Sequence, residues 1–423
     1  MIFQTTSFFI PGIPYPVRFS SLHSPSLYHM KRYYFSPFFE VKNVFQKCYA
    51  EHKYTKQIIL LPAEISDYFT DVRSYLFGLD EQTVNGLKEH RVFDFLLEEQ
   101  VLVDETVAYS DISRFFVRPQ HTYAGLPTGN IDELLDSLAI MGVPYRQGNA
   151  NNSNLHNNGT TARKYGHKYN LLSPTFAYAS EIKGRAYDFV QAGNIFDLGD
   201  LYISEREDLS AVVEKIADVA AQLILQDNRF IAIGGDHSVT YPLVKGARTQ
   251  VNDLVCVHID AHNDLFLLPE CHFADLAPSH SSVIGKLLRE GTEVHSVGLR
   301  DFVNIDSLAF AGHPLYSCYF TRSDAQFLDH IDTIISRLAG RKIYLSIDVD
   351  VLDEKYFSSV TDPLPDGISP EALLTGFSRL NECTEIVSMD IVEANLQPDH
   401  PTDIHRFLNL LTEIINIYHG KTN

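Results

Sequence analysis

The chain has 423 residues, of which 45% are hydrophobic, so it can bury one large core and still has length for a second, smaller unit. Acidic side chains outnumber basic ones by 54 to 34, and the formal net charge of −20 would repel a nucleic-acid backbone. We therefore exclude nucleic acid as a partner and expect one domain of roughly 300 residues with an accessory segment.

The first residues of the chain are apolar but do not resemble a signal peptide. They lack a basic start and are interrupted by Pro11 and Pro14, which also argues against a membrane-spanning helix. The five cysteines are scattered, with no CxxC pair, so neither a disulfide framework nor a zinc knuckle is indicated. We expect a protein of the reducing cytoplasm that has no membrane partner.

Residues 1–130 are rich in Tyr and Phe and predict a small N-terminal α+β accessory domain. A strand is expected over residues 57–61 and a helical stretch from about Asp80 to Glu99. This pattern fits a winged-helix-like unit or a docking module for a substrate or peptide, and the sequence does not choose between them. The Asn-rich stretch Gly148–Thr161 then predicts a mobile loop.

Residues 131–423 predict a catalytic domain of the α/β class. Five short apolar runs in this region alternate with segments of helical spacing such as Ser210–Gln226 and Ala325–Leu338. The runs are RFIAIGGDHS ending at Ser238, DLVCVHIDAHND ending at Asp264, EVHSVGLRD ending at Asp301, KIYLSIDVDVLD ending at Asp353, and EIVSMDIVEAN ending at Asn395. Continuous apolar strands separated by helices are typical of an open parallel sheet covered on both faces, a three-layer architecture.

Metal-ligating residue types follow several of these runs. Because ligands bind beyond the carboxyl ends of the strands in open parallel sheets, the sheet would gather these side chains at one edge. On an extended segment alternate side chains share a face, so neighbouring ligands should point into one cavity. The six candidates are His237, Asp260, His262, Asp264, Asp348 and Asp350.

The charge of this set indicates two metal ions. Two imidazoles and four carboxylates carry about −4 of formal charge, which two divalent cations would balance. Oxygen-rich sites without thiolate suit manganese, with magnesium, iron, cobalt or nickel as lesser options. Two such ions can lower the pKa of a water that they share, so hydrolysis follows more naturally than redox chemistry or group transfer.

Four motifs carry a resemblance to a known family: GGDHS at Gly234–Ser238, DAHND at Asp260–Asp264, SIDVDVLD at Ser346–Asp353 and SMDIVEAN at Ser388–Asn395. Together they resemble the ureohydrolases, the family of arginase, agmatinase and formiminoglutamase, over about residues 131–420. The resemblance implies an arginase-like fold, a homo-oligomer such as a trimer or hexamer, and a small guanidino substrate or an arginine-containing peptide.

The same resemblance implies a ligand set for two Mn²⁺ ions. One ion would be held by His237, Asp260, Asp264 and Asp348. The other would be held by Asp260, His262, Asp348 and Asp350, so that Asp260 and Asp348 bridge the two.

Further site residues are also implied by the family motifs. Glu393 looks like the glutamate that pairs with the substrate guanidinium, and Asp264 serves both the metal and catalysis. Asp236 and Asp390 would orient ligands. His280 resembles the histidine that protonates the leaving nitrogen, with His272 as the substitute, while His258 and His295 fit packed core histidines.

Departures from the family pattern put free arginine in doubt. Glu354 replaces the usual proline, and the loop Leu265–Ser279 lacks the Asn- and Ser/Thr-rich pattern that grips an α-amino acid. Agmatine, another guanidino compound or a peptide arginine converted to ornithine fits better. The alternatives are a formimino-group hydrolase, a metal-dependent deacetylase with one zinc ion, and a non-catalytic binding protein that retains the fold.

Overall fold

The computed structural model describes two compact units, Met1–Asp111 and Ile112–Asn423. The described residues are 5–8, 17–20, 33–35, 39–44, 47–52, 58–62, 79, 81–99, 101–104, 115–117, 121–145, 158–166, 194–203, 209–266, 279–301, 310 and 312–419. The second unit begins earlier than residue 131, the start expected from the sequence. The reason is that the strand Phe116–Val117 pairs with the strand Ile195–Leu201 and so belongs to the larger sheet.

Small antiparallel sheets and two helices form the described part of the N-terminal unit. They are β1 (Thr5–Phe8), β2 (Val17–Ser20), β3 (Tyr33–Phe35), β4 (Phe39–Val44), β5 (Lys47–His52), β6 (Ile58–Leu61), α1 (Glu81–Glu89), α2 (Phe93–Glu98) and β7 (Leu102–Asp104). β1 pairs with β2, β3 pairs with β7, and β4, β5 and β6 form one sheet in that order. Ile59 and Leu61 of β6 share a buried cluster with Leu87 and Leu96 of the helices. The predicted strand is confirmed, but the predicted helix is broken at Arg91, where φ is +57°.

A nine-stranded sheet forms the centre of the second unit. Its strands are β8 (Phe116–Val117), β9 (Leu138–Val143), β10 (Ile195–Leu201), β11 (Arg229–Gly234), β12 (Val255–Ile259), β13 (Glu293–Leu299), β14 (Tyr316–Phe320), β15 (Lys342–Asp348) and β16 (Glu385–Val392). Their order across the sheet is β14-β13-β12-β15-β16-β11-β9-β10-β8. Every neighbouring pair is parallel except β8 with β10. The open α/β sheet is confirmed, and the five predicted runs form β11, β12, β13, β15 and β16.

Helices connect these strands and cover the sheet. They are α3 (Asn158–Gly166), α4 (Leu209–Leu225), α5 (Thr240–Gln250), α6 (Val283–Arg289), α7 (Asp324–Leu338), α8 (Pro370–Cys383) and α9 (Pro401–His419). Both predicted crossover helices are present, as α4 and α7. Ser323 caps the start of α7, because its side chain accepts the Gln326 N–H. Within the described ranges, no helix combines the length and apolar character needed to cross a bilayer.

Part of the stretch predicted as a mobile loop is helical. Its residues 148–157 lie outside the described residues, but Asn158 and the three residues after it form the first turn of α3. Two long-range hydrogen bonds hold this turn: the Asn158 amide donates to the carbonyl of Gly234 and accepts the N–H of Leu396. Tertiary contacts therefore outweigh the low helix propensity of Asn and Gly here.

The side-chain alternation of the central strands separates an apolar face from a polar one. Val257 and Ile347 join the large cluster formed with α7, α8 and α9. The alternate residues His258 and Ser346 point to the opposite face, where the Thr240 hydroxyl of α5 reaches Ser346. The polar groups behind the carboxyl edge therefore lie on the α5 side of the sheet.

Candidate metal centre and active site

The candidate ligands lie at the carboxyl edge of the sheet, as predicted. The strands β12 and β15 do not, however, continue through the ligand residues that follow them, as the sequence had predicted. β12 ends at Ile259 and β15 ends at Asp348, and a tight turn follows each strand. The Asp348 Oδ1 accepts the Asp350 N–H at 2.8 Å, and the Asp260 Oδ1 accepts the His262 N–H at 2.5 Å. The expected alternation is wrong at these positions because each first aspartate caps a turn that carries the next candidate ligand.

Four of the six candidates meet at the buried imidazole of His237. Its Nδ1 lies 3.1 Å from an oxygen of Asp260, 3.0 Å from one of Asp264 and 3.3 Å from one of Asp348. This buried nitrogen makes no hydrogen bond of acceptable geometry. Neighbouring ligands of an octahedral cation bound at roughly 2.1 Å are about 3 Å apart, so the separations fit a shared divalent ion.

A second group lies on the other side of Asp260. His262 Nδ1 is 2.8 Å from the Asp350 Oδ2 and 3.7 Å from the Asp260 Oδ1, whereas the Asp260 Oδ2 faces His237. The other oxygen of Asp350 accepts the N–H of Ala261 at 3.1 Å. Since its two oxygens face two different imidazoles, Asp260 is placed to belong to both groups. Two clusters of described residues that share Asp260 could each hold a metal ion: His237, His258, Asp260 and Asp264, and Asp260, His262 and Asp350.

The pKa shifts reveal how crowded these charges are. Burial and the nearby Asp350 raise the pKa of Asp348 well above its usual value, and burial with Asp260 raises that of Asp350. Burial acts to lower the pKa of His262, but its hydrogen bonds to Asp260 and Asp350 outweigh this and raise the pKa to about 12. A divalent cation would take the place of these bound protons, which is the coupling expected of a metal site.

Asp390 supports the His237 imidazole through Ser346. The His237 Nε2 lies 2.9 Å from the Ser346 hydroxyl, which donates to one oxygen of Asp390 at 2.7 Å. The Tyr344 hydroxyl donates to the other oxygen of Asp390 at 2.8 Å. Asp390 thus lies in a position to orient a candidate ligand, as the sequence predicts. The series of hydrogen bonds through Ser346 fixes the direction in which the His237 Nδ1 points.

Asp236 shapes the turn that carries His237. Its carboxylate accepts the Ser238 N–H at 3.0 Å and also the Ser238 hydroxyl. The preceding Gly235 is required because an added Cβ would lie 1.7 Å from the carbonyl oxygen of Tyr145. Asp236 therefore orients His237 by capping this turn.

His258 is a site residue that the sequence analysis assigned to the core. It is fully buried in β12, but its Nε2 lies 2.7 Å from the Asp260 Oδ2 and its Nδ1 lies 2.9 Å from the Ser296 hydroxyl. His258 therefore orients Asp260, the carboxylate shared by both groups. In the sequence, this role is indicated by the position of His258 two residues before Asp260.

Glu393 lies beside the first group and faces the cleft. Its Oε1 accepts the His237 N–H at 2.8 Å, and its Oε2 accepts the Thr361 hydroxyl at 2.9 Å. Burial, and then the charge of Asp236, raise the pKa of Glu393 to about 8. A cationic group bound here would favour the ionised carboxylate.

The cleft in front of these groups is acidic. Its described lining residues are His237, His262, Asn263, Asp264, Phe266, His280, Ser281, Asp301, Asp348, Asp350, Thr361, Asp362 and Glu393, and none of these is Lys or Arg. His280 begins a short 3₁₀ turn after Ser279 and lies on the wall of the cleft. The substitute, His272, lies outside the described residues.

Comparison with known proteins identifies relatives of the second unit. The model of the arginase family matches residues 136–414, more than half of the chain. A Clostridium difficile protein of known structure, provisionally described as an agmatinase, has a TM-score of 0.56 and 26% identity, and the match covers 69% of this chain and 99% of that one.

Two curated relatives match over shorter or more divergent stretches. The N(1)-aminopropylagmatine ureohydrolase of Thermus thermophilus is 37% identical over 166 residues, which are 38% of this chain and 54% of the relative. The chain thus spans about half the length of that relative. The formimidoylglutamase of Halalkalibacterium halodurans is 25% identical over 62% of this chain and 80% of its own length.

Proposed function

This chain belongs to the arginase family, and on that premise we propose that it is a dimanganese ureohydrolase, which converts a guanidino group and water into urea and an amine. The observation that carries the proposal is the convergence of three buried carboxylates, those of Asp260, Asp264 and Asp348, within 3.3 Å of the buried Nδ1 of His237. Carboxylates buried this close together are costly unless cations neutralise their charge.

Two manganese ions would be held by the six side chains that the resemblance assigns. His237, Asp260, Asp264 and Asp348 would hold one ion, and Asp260, His262, Asp348 and Asp350 the other. When bound, two such ions lower the pKa of a water that they share, and so supply the nucleophile. Carboxylate oxygens in the majority favour manganese over zinc.

Residues of the chain would perform the remaining steps. The Glu393 carboxylate binds the guanidinium and turns its carbon toward the ligand cluster. As water adds to that carbon and the bond to the substituted nitrogen breaks, His280 gives a proton to the leaving nitrogen, which departs as an amine. Asp264 holds its oxygen beside His237 in a left-handed backbone conformation, with φ of +47°.

The lining of the cleft favours a guanidine that carries no carboxylate. Asp301, Asp362 and Glu393 line it together with the ligand carboxylates, and the described lining has no cationic side chain for an α-carboxylate. Agmatine-like amines and arginine side chains within a peptide meet this condition, and free arginine does not. The relation to an aminopropylagmatine ureohydrolase supports the first of these classes.

One feature of the N-terminal unit supports the peptide class as a second candidate. β6 ends the sheet β4-β5-β6 within the described residues, and its Ile58 and Leu60 are 65% and 64% exposed. A sheet edge with alternating apolar side chains can receive an extended peptide as an added strand. The unit would then act as a docking domain that raises the local concentration of a peptide substrate.

A product assay tests these proposals together. The manganese-loaded protein is incubated with agmatine, arginine and arginine-containing peptides, and urea release or a loss of about 42 Da from the peptide is measured. Formamide in place of urea, from a formimino substrate, would support the formiminoglutamase alternative. Asp350→Asn should stay folded and lose urea release, whereas full activity in this variant would refute the assigned mechanism. Sedimentation would test for the trimer or hexamer that the family resemblance implies.

A further inference from the structure

Arg300 follows β13 and binds two backbone segments next to the site. All of its side-chain hydrogen bonds within the described residues go to carbonyl oxygens. Nε donates to Pro365 at 3.0 Å, Nη1 to Val351 at 3.0 Å, and Nη2 to Asp350 at 2.6 Å, Leu364 at 3.0 Å and Leu352 at 3.2 Å. Only a planar guanidinium presents enough N–H groups to reach so many acceptors at once.

One of these bonds belongs to a closed series of three hydrogen bonds beside the second ligand group. The Arg300 side chain donates to the carbonyl of Asp350, and the Asp350 carboxylate accepts the N–H of Ala261 at 3.1 Å. The carbonyl of Ala261 in turn accepts the backbone N–H of Arg300 at 2.9 Å. The ends of β12, β13 and β15 are therefore tied to one another at the residue that carries the Asp350 ligand.

The second segment that Arg300 binds comes directly after residues that line the cleft. Leu364 and Pro365 follow Thr361 and Asp362, which line the cleft. Arg300 thus connects the turn that carries Asp350 to a substrate-facing loop without itself lining the cleft. Loss of this link would loosen the Asp350 side of the site more than the His237 side, which is held separately by Ser346 and Asp390.

We infer that Arg300 is a positioning residue for the second metal ion, the one that Asp260, His262, Asp348 and Asp350 would hold, because Arg300 orients the Asp350 turn. The inference rests on the proposed two-ion site. Arg300 would raise the affinity of the site for this second ion. The affinity for the ion beside His237 would not depend on Arg300.

Manganese titration of the full chain tests the inference. Arg300→Lys keeps the charge but cannot span the carbonyls, and Arg300→Met keeps the bulk without the charge. Arg341→Lys is the matched control, because Arg341 pairs with Glu293 at 2.7 Å before β15, at the opposite end of that strand from Asp348. Calorimetry gives the two affinities, and electron paramagnetic resonance shows the spin-coupled signal of a two-ion centre.

We expect two ions in the wild type and in Arg341→Lys. In both Arg300 variants one affinity should stay within about threefold, whereas the other falls about 10- to 100-fold and the spin-coupled signal is lost. Unchanged binding, an equal loss of both ions, or the failure of both Arg300 variants to fold would overturn the inference alone. A wild type that binds no manganese would instead overturn the proposed function, and this inference with it.

Discussion

The Glu393 carboxylate is hydrogen-bonded to the backbone of His237, with 2.8 Å between the Oε1 of Glu393 and the His237 nitrogen. The imidazole of His237 meanwhile faces Asp260, Asp264 and Asp348. The group proposed to bind the guanidinium is therefore bonded to the turn that carries a group proposed to bind a metal. The left-handed φ of +59° at Glu393 costs on the order of 1 kcal/mol. Contacts such as the hydrogen bond to His237 therefore have to stabilise this backbone conformation.

The first prediction concerns the charge of Glu393. Glu393→Gln keeps an oxygen that can accept the His237 N–H but removes the anion that binds the guanidinium. We expect kcat/KM to fall about 100-fold, since a charge-assisted pair contributes roughly 3 kcal/mol, while manganese content is unchanged. Thr361→Val removes only the hydroxyl bonded to Oε2 and should lower kcat/KM less than about tenfold. Equal effects of the two variants would contradict the assigned role of the charge.

The second prediction concerns His258, the histidine bonded to Asp260. His258→Phe removes the 2.7 Å hydrogen bond that orients Asp260, so manganese affinity should fall about 10- to 100-fold in a calorimetric titration. His295→Phe is the control, because His295 is a buried strand histidine that bonds Glu293 instead of a candidate ligand. If His295→Phe weakens manganese binding equally, the effect of His258→Phe comes from packing and not from Asp260.

The sequence predicted the sheet and the gathering of the ligands because both follow from simple periodicity. A strand such as β12 or β15 is buried on both faces and therefore reads as a continuous apolar run. Once the sheet is parallel, Asp260 and Asp348 must lie at the same edge. This level of the site requires no knowledge of how the side chains pack.

The finer geometry depends on contacts between segments that are far apart in the chain. Asp350 points at His262 because a turn capped by Asp348 redirects it, and the pattern DVD does not distinguish that turn from an extended strand. His258 looks like a core residue until its partners, Asp260 and the Ser296 hydroxyl of β13, are placed next to it. Arg300 was not singled out, because its partners are backbone carbonyls, which leave no trace in residue types.

The third prediction concerns His280 as the proton donor. His280→Ala should lower kcat about 100- to 1,000-fold while KM and manganese content stay near their wild-type values, because the imidazole acts only as the leaving nitrogen departs. Added imidazole should restore part of kcat. Full activity in His280→Ala, combined with a loss of activity in His272→Ala, would transfer the role to His272.

The fourth prediction concerns stability at low pH and rests on His419, at the end of α9. Burial, together with the charge of Arg229, lowers the pKa of His419 to about 4, whereas an unfolded histidine titrates near 6.5. Because the folded state disfavours the protonated form, this contribution to the free energy of unfolding is complete above about pH 6.5 and is lost as pH falls through about 4. The full difference is on the order of 3 kcal/mol.

His419→Gln cannot take up that proton, so its free energy of unfolding should fall less between pH 7 and pH 4.5 than that of the wild type. Urea unfolding in the presence of a chelator measures both curves without a contribution from metal binding. The informative quantity is the difference between the two proteins, because every other titrating group, including the crowded carboxylates at the sheet edge, is common to both. Parallel curves would show that His419 takes up its proton without cost, and hence that the end of α9 opens to water before the rest of the unit unfolds.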